Sequence, residues 1–218
     1  KKQTALNQEY RSRKREKIAM ATIGRPRKVR KVEIPYNWDP RPYQMDVWEA
    51  MDAGIKRINC VWHRRAGKDL TFINRAVVEA HRRIGTYYHM MPKLNQARKA
   101  IWDGMDKTGR PFLDYIPKEI MRKKSESEMQ IEFTCGSIWQ LVGADNYDNL
   151  MSTNAVGVVF SEYSLCNPKA WDFFRPIIRE NGGWAAFLYT PRGRNHAHRL
   201  HVMAQRNPAW FSQVLTIK

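Results

Sequence analysis

The chain has 218 residues, 43% of them hydrophobic and eight of them Trp, which suits one sizeable α/β domain with an appendage and rules out a disordered chain. Its formal net charge is +17 and its pI near 10.0, so a polyanionic partner is expected, nucleic acid first. No apolar run reaches the roughly 18–20 residues of a membrane helix and no signal peptide opens the chain, so a soluble, cytoplasmic protein without a membrane partner is expected.

The three cysteines, Cys60, Cys135 and Cys166, lack C-x-x-C spacing, which argues against a zinc site and against a disulfide framework. The first residue is Lys1, as expected of a fragment. Charge is uneven: residues 1–31 carry twelve Lys/Arg against two Glu, a net +10, which leaves +7 for the rest. Residues 1–33 are therefore read as a basic arm and 34–218 as the body. Within the arm, Gln3–Ala21 has the composition of a helix that forms only when bound, and Gly24-Arg25-Pro26 matches the core of a minor-groove hook. The arm as a whole reads as a solvated or partner-binding tail.

The body opens with an aromatic, proline-rich loop and a helix predicted from Pro42 to Lys56. In Arg41-Pro42-Tyr43-Gln44, Tyr43 has the ring to stack on a base and Gln44 the amide to read an adenine edge; the alternative is a helix start with Tyr43 in the core. Ile58–Trp62 is a predicted strand, and Asp69–Arg83 a predicted helix. Between them lies a basic turn, His63, Arg64, Arg65, Ala66, Gly67, Lys68. Strand, Gly-Lys turn, helix is the layout of a phosphate-binding loop: free N–H groups at the helix N-terminus favour an anion, and the lysine reaches the β- and γ-phosphates. The fit to G-x-x-x-x-G-K-[ST] is imperfect. Trp62 stands at the first glycine and Asp69 at the Mg²⁺-binding Ser or Thr.

Further on, Gly85–Met91 is a predicted strand, Lys93–Lys107 a helix and Thr108–Glu128 a loop. Met129–Cys135 and Ser137–Val142 are predicted strands, with a short helix or loop over Asn146–Thr153. Ala155–Phe160 has the continuous apolar character of a strand buried on both faces. It ends at Ser161-Glu162, where a phosphate loop needs a group for Mg²⁺ and a Glu to activate water. Asn167-Pro168 caps a helix to about Asn181, in which Pro176 should cause a kink or split. Strand Trp184–Tyr189, helix Asn195–Gln205 and strand Trp210–Ile217 complete the series. Alternation from Ile58 onward predicts an α/β fold with a mainly parallel twisted sheet flanked by helices, and a site at the strands' C-terminal ends. Thr190, Pro191 and Gly193 follow one such strand; a hydroxyl there is placed to sense the γ-phosphate and the Pro-Gly turn to pass the change on.

Together, HRRAGKD, VVFSEYSLCNPKAW and YTPRGRNH resemble the ATPase motifs of the large terminase subunit of tailed bacteriophages, and RPYQ resembles that family's adenine-binding motif. The resemblance covers roughly residues 36–218. It implies a P-loop NTPase of the additional-strand, catalytic-glutamate type, with ATP and Mg²⁺ as cofactors. By the same resemblance the ATP-binding set is Tyr43, Gln44, His63, Arg64, Arg65, Ala66, Gly67, Lys68 and Asp69. Arg64 corresponds to a cis arginine finger, Glu162 to the catalytic glutamate, and Thr190, Pro191 and Gly193 to the coupling motif. The implied partners are double-stranded DNA, a portal protein, a small terminase subunit and copies of the chain in a homo-oligomeric ring, at a procapsid portal in the host cytoplasm. The family's nuclease domain would lie beyond this chain, so no nuclease activity is expected of it.

The departures suggest an exchange. Where the usual loop hydroxyl binds Mg²⁺ and an Asp at the strand end accepts its hydrogen bond, this chain has Asp69 in the loop and Ser161 at the strand. Asp69 is expected to serve the metal while Ser161 hydrogen-bonds it; the rival is a degenerate, inactive loop. Two other functions remain open on sequence: a helicase-like remodelling ATPase, and a non-catalytic DNA-binding or portal-docking module.

Overall fold

A computed structural model describes residues 34, 37–150 and 154–216; the expected Gln3–Ala21 helix and the Gly24-Arg25-Pro26 hook lie outside them. Helix α1 (Pro42–Asp52) starts on Pro42, whose missing N–H would have no helical partner, and Gln44 Oε1 accepts from Arg41 N at 2.8 Å. Gly54, at φ +93°, ends it short of the predicted Lys56. Strand β1 (Arg57–Trp62) leads through the Gly-Lys turn into helix α2 (Lys68–Arg82), and β2 (Thr86–Met91) follows.

The helix predicted over Lys93–Lys107 is shorter. A helical turn at Leu94–Ala97 runs into a π-helical turn, Arg98–Trp102, capped by Asp103; the chain then leaves at Gly104, where a Cβ would lie 2.2 Å from Ala100 O, so only glycine fits. The predicted loop Thr108–Glu128 contains two 3₁₀ turns and an unpredicted strand, β3 (Met121–Ser125). Its MRKKS sequence is mostly exposed and has no apolar alternation to betray it. β4 (Gln130–Phe133), β5 (Ile138–Gly143) and β6 (Ala155–Ser161) come next. Helix α3 (Pro168–Glu180), β7 (Trp184–Tyr189), helix α4 (His196–Gln205) and β8 (Trp210–Leu215) finish the described chain. Helix α3 runs through Pro176 as one element rather than splitting. Pro176 and Asp172, whose carbonyl the proline leaves without a donor, are both exposed, so water can take the lost bond.

The strands form one sheet in the order β3-β4-β5-β2-β6-β7-β1-β8. Pairings are parallel from β5 through β8, and β3 and β4 extend the sheet as antiparallel strands. β6 and β7 are buried along their whole length, as their unbroken apolar runs require. On one face Trp62, Tyr87 and Trp139 cluster with Phe72 and Ile73 of α2; on the other Phe160 and Phe187 cluster with Trp171 and Phe174 of α3. The decisive feature is β7. It stands between β1, which carries the Gly-Lys loop, and β6, which carries Ser161 and Glu162. That inserted strand is what sets the additional-strand type of P-loop fold apart.

Arg75 ties the helix that carries Tyr43 and Gln44 to the helix behind the loop. It is 1% exposed, bonds Asp52 at 2.8 Å and Glu79 at 2.6 Å, and lies over the Trp48 ring at 5.0 Å. Arg75→Ala leaves Asp52 and Glu79 paired with the half-exposed Arg82 alone, at 2.7 and 3.2 Å, and opens space beneath Trp48. It is expected to cost about 2–3 kcal/mol, discounted because Asp52 faces solvent, and to lower Tm by roughly 5–10 °C in a thermal melt.

Candidate active site

The Gly-Lys turn sits at the C-terminal edge of the parallel sheet. Gly67 caps α2 at φ +78°, and a Cβ there would come within 2.7 Å of Gln44 Nε2, so both its backbone and its surroundings require glycine. Arg65 is also left-handed, at φ +67°. Lys68 and Asp69 open helix α2, with the lysine side chain folded beneath the turn. Lys68 is 5% exposed and donates to Trp62 O at 3.3 Å, His63 O at 3.4 Å and Thr190 Oγ1 at 3.5 Å, with Glu162 Oε1 at 3.9 Å.

The site uses the carbonyl of Trp62, which also accepts from Thr190 Oγ1 at 3.4 Å. Its ring is fully buried and meets Tyr43 edge-on at 5.8 Å. Here the first loop position is the last residue of β1, with ordinary strand backbone, so no glycine is needed there.

RPYQ braces the loop. Arg41 Nη1 donates to Tyr43 Oη at 2.6 Å and to Arg65 O at 3.2 Å, while Tyr43 Oη and Gln44 Nε2 donate to Ala66 O at 3.1 and 2.9 Å. With Oε1 on Arg41 N, both ends of the Gln44 amide are engaged within the protein. Gln44 thus helps to hold the loop, and with one N–H and one lone pair still open it also lines the adjoining cleft.

Asp69 and Ser161 meet. Ser161 Oγ donates to Asp69 Oδ1 at 2.5 Å, and His89 Nε2, fully buried on β2, lies 3.1 Å from the same oxygen. Burial works to raise the Asp69 pKa, but His89, Ser161 and the Lys68 charge together outweigh it, so the carboxyl is held below its ordinary value. Glu162 behaves oppositely. Burial raises it, Lys68 opposes, Asp69 adds to the rise, and Arg64 and Arg192 pull back; the carboxyl ends above its ordinary value. Its backbone is left-handed, φ +51° and ψ +44°, an uncommon state for a glutamate and a form of strain that clusters at functional sites.

A cleft of about 610 Å³ opens over these groups, lined by Arg64, Lys68, Asp69, Lys99, Glu162 and Arg192 among others. Gly67, Leu70, Arg65 and Phe112 separate it from a larger cleft of about 1210 Å³ that Trp38, Arg41, Gln44 and Arg110 help to line. Tyr43, His63 and Ala66 line neither; His63 Nδ1 lies 2.6 Å from Arg64 O, and Ala66 is buried. Thr190 stands behind Lys68, with Pro191 and left-handed Gly193 (φ +66°) leading away. The segments after Glu162 and after Thr190 are laced together: Ser164 Oγ donates to Thr190 O at 3.2 Å, and Asn195 Nδ2 to Ser164 O at 3.1 Å. Arg192, Lys99 and His89 join the site without having been expected there. Arg192 lies within the Thr190–Gly193 segment of the coupling motif and was readable from it; His89 carried no signal beyond being a polar residue in an apolar strand.

Among the described residues no cluster of three or more His, Cys, Asp or Glu forms a metal cage. A Mg²⁺ ion that shares its shell with phosphates and waters needs only one or two carboxylates. Asp69 suits that role, since both its bonds fall on Oδ1 and Oδ2 has no hydrogen-bond partner among the described residues.

Fold and loop are those of the additional-strand type of P-loop fold. No protein-family model and no curated protein sequence matches the chain. Among solved structures it has the fold of phage large terminase ATPase domains. That of Thermus phage P74-26 is similar at TM-score 0.67 and 18% identity, over 83% of this chain and 82% of that one. The large terminase of a thermophilic bacteriophage is similar at TM-score 0.63 and 14% identity, over 81% of this chain and 46% of that one. That terminase has also been solved in complex with ADP, at TM-score 0.62 and 14% identity, over 82% of this chain and 46% of that one.

Proposed function

We propose that the chain is the Mg²⁺-dependent ATPase part of a phage large terminase and that its ATP hydrolysis drives double-stranded DNA into a procapsid. The observation that carries the enzymatic reading is the meeting of Lys68, Glu162 and the Asp69–Ser161 pair at one helix N-terminus, in a cleft walled by Arg64 and Arg192. The triphosphate lies against the α2 N-terminus and Lys68, with the rest of the nucleotide in the adjoining cleft beyond Gly67. Asp69, backed by Ser161, would hold Mg²⁺, which supplies charge neutralisation on the phosphate oxygens. Glu162 orients the attacking water and accepts its proton, while Arg64 and Arg192 face the developing charge. Lys68 shares its surroundings with Thr190, so a change at the γ-phosphate reaches the Pro191–Gly193 turn through one hydrogen bond.

The motor role rests on the fold and on the net charge of +17. The DNA partner is engaged through its backbone, with affinity that falls steeply with salt. Arg122 is paired with Glu132 at 2.7 Å and Lys124 with Glu126 at 2.7 Å, so of the basic run on β3 only Lys123 lacks an ion pair among the described residues. Arg192 belongs to the cleft, while Arg194 is exposed outside it. A portal protein, a small terminase subunit and a ring of copies are the further partners of this reading. No helix among the described residues is long and apolar enough to cross a membrane.

The test is phosphate release from ATP by the purified protein with Mg²⁺ against EDTA. Wild-type turnover should require the metal, and Lys68→Ala should lower it by about 10²–10³-fold. A folded wild type that neither binds nor hydrolyses ATP would show the reading to be wrong.

A further inference from the structure

His89 sits in a place where a hydrophobic side chain would be ordinary. β2 lies beside β6, His89 is in register with Val159, and Val159 and Ser161 share the face that packs on α2. Around it are Tyr87, Met91 and the Trp139 ring, whose centroid is 6.1 Å away. Its burial is complete, yet only one ring nitrogen is satisfied. Nε2 meets Asp69 Oδ1, whereas Nδ1 is buried without a partner. Since an ionised carboxylate only accepts, Nε2 carries a proton, and Nδ1 is the nitrogen left without a partner. A histidine kept for packing alone would pay desolvation at both nitrogens. The bond to Asp69 is what it gains.

Asp69 needs such a partner more than the usual hydroxyl would. A serine or threonine at the second residue of the helix is placed by the backbone and one rotor. An aspartate there has a second rotor and sits beside N–H groups that it can cap and beside Lys68 that it can pair with. In the structure it does neither: two donors from two adjacent strands hold Oδ1, and the cleft is lined by what remains of the side chain.

We propose that His89 is a positioning residue that, together with Ser161, fixes the Asp69 carboxylate so that its free oxygen serves a divalent cation bound with nucleotide. This rests on the reading of the cleft as a Mg·ATP site. It adds β2 to the elements that build that site, so that the loop, β6 and β2 each contribute one member of a Ser–Asp–His set.

The test separates metal from nucleotide. Mn²⁺ affinity is measured by electron paramagnetic resonance in the presence of a non-hydrolysable ATP analogue, and analogue affinity is measured in EDTA by fluorescence, with thermal melts to confirm folding. His89→Leu should weaken Mn²⁺ binding about 10–100-fold, the usual effect of losing a partner behind a metal ligand, with metal-free analogue affinity within about twofold of wild type. His89→Gln, which returns an N–H near the same point, should recover most of the loss. Unchanged Mn²⁺ affinity in a folded His89→Leu protein overturns the proposal, as does an equal loss of metal-free analogue binding, which would mark a merely structural role. If His89→Leu does not fold, His89→Asn carries the test, because its shorter side chain withdraws the donor; unaltered Mn²⁺ affinity there overturns the proposal as well. A wild type that binds no analogue under any condition overturns the underlying ATPase reading and this proposal with it.

Discussion

Glu162→Gln is expected to keep nucleotide binding and lower ATP turnover by about 10²–10⁴-fold, the range for removing a positioned general base. The amide preserves size and the left-handed backbone at φ +51°, so the loop over Tyr163–Leu165 need not move. What disappears is a carboxylate 3.9 Å from the Lys68 ammonium and facing the cleft. Single-turnover phosphate release, beside analogue binding, separates the two quantities. Turnover at the wild-type rate would remove Glu162 from the chemistry.

Two further consequences follow from the raised pKa of Glu162. The working form is the carboxylate, so wild-type turnover falls as pH drops through a pKa above the ordinary glutamate value, and the residual turnover of Glu162→Gln lacks that limb. For stability the sign runs the other way. Between the unfolded and folded pKa values the native state binds more protons than the unfolded state, so the folded protein loses stability as pH rises through that window. Removing the ionised group at neutral pH is therefore expected to raise Tm while lowering turnover, the trade expected where a buried charge is kept for function.

The parts of the site that could be read from the chain are those built by local pattern. An apolar strand, Gly67-Lys68 and a helix fall within one stretch, and Ala155–Ser161 announces a buried strand ending in Glu162 by composition alone. The Asp69–Ser161 meeting was foreseeable because the loop and the strand end face each other in every fold of this type. His89 was not. TYYHMM gives no reason to single out its histidine until β2 is known to lie next to β6. Gln44 shows a different limit: residue chemistry identifies an amide able to read a base, but only the packing of α1 on the loop shows both its ends already bonded. β3 and the uninterrupted α3 escaped because their determinants, an edge position and the exposure of Pro176 and Asp172, are tertiary.

Exchanging the two halves of the Asp69–Ser161 pair tests the proposed metal site directly. Asp69→Thr alone leaves two hydroxyls and no carboxylate, so Mg²⁺ affinity and kcat/KM should fall by about 10²-fold, comparable to losing one strong transition-state contact. Ser161→Asp alone sets two carboxylates at a contact now 2.5 Å long, where they cannot both ionise without repulsion, and a loss of similar size is expected. The double substitution restores one carboxylate and one hydroxyl with the hydrogen bond reversed. It should therefore perform at least tenfold better than either single variant, a coupling of about 1.4 kcal/mol or more in a double-mutant cycle. Additive losses would mean that the two side chains act separately and that the contact is incidental. Recovery should also stop short of wild type, because His89 would then face a threonine hydroxyl in place of the carboxylate oxygen that accepts from its Nε2. Adding His89→Leu to the exchanged pair should cost far less Mn²⁺ affinity than it does in the wild type, since the carboxylate it positions has moved to the other strand.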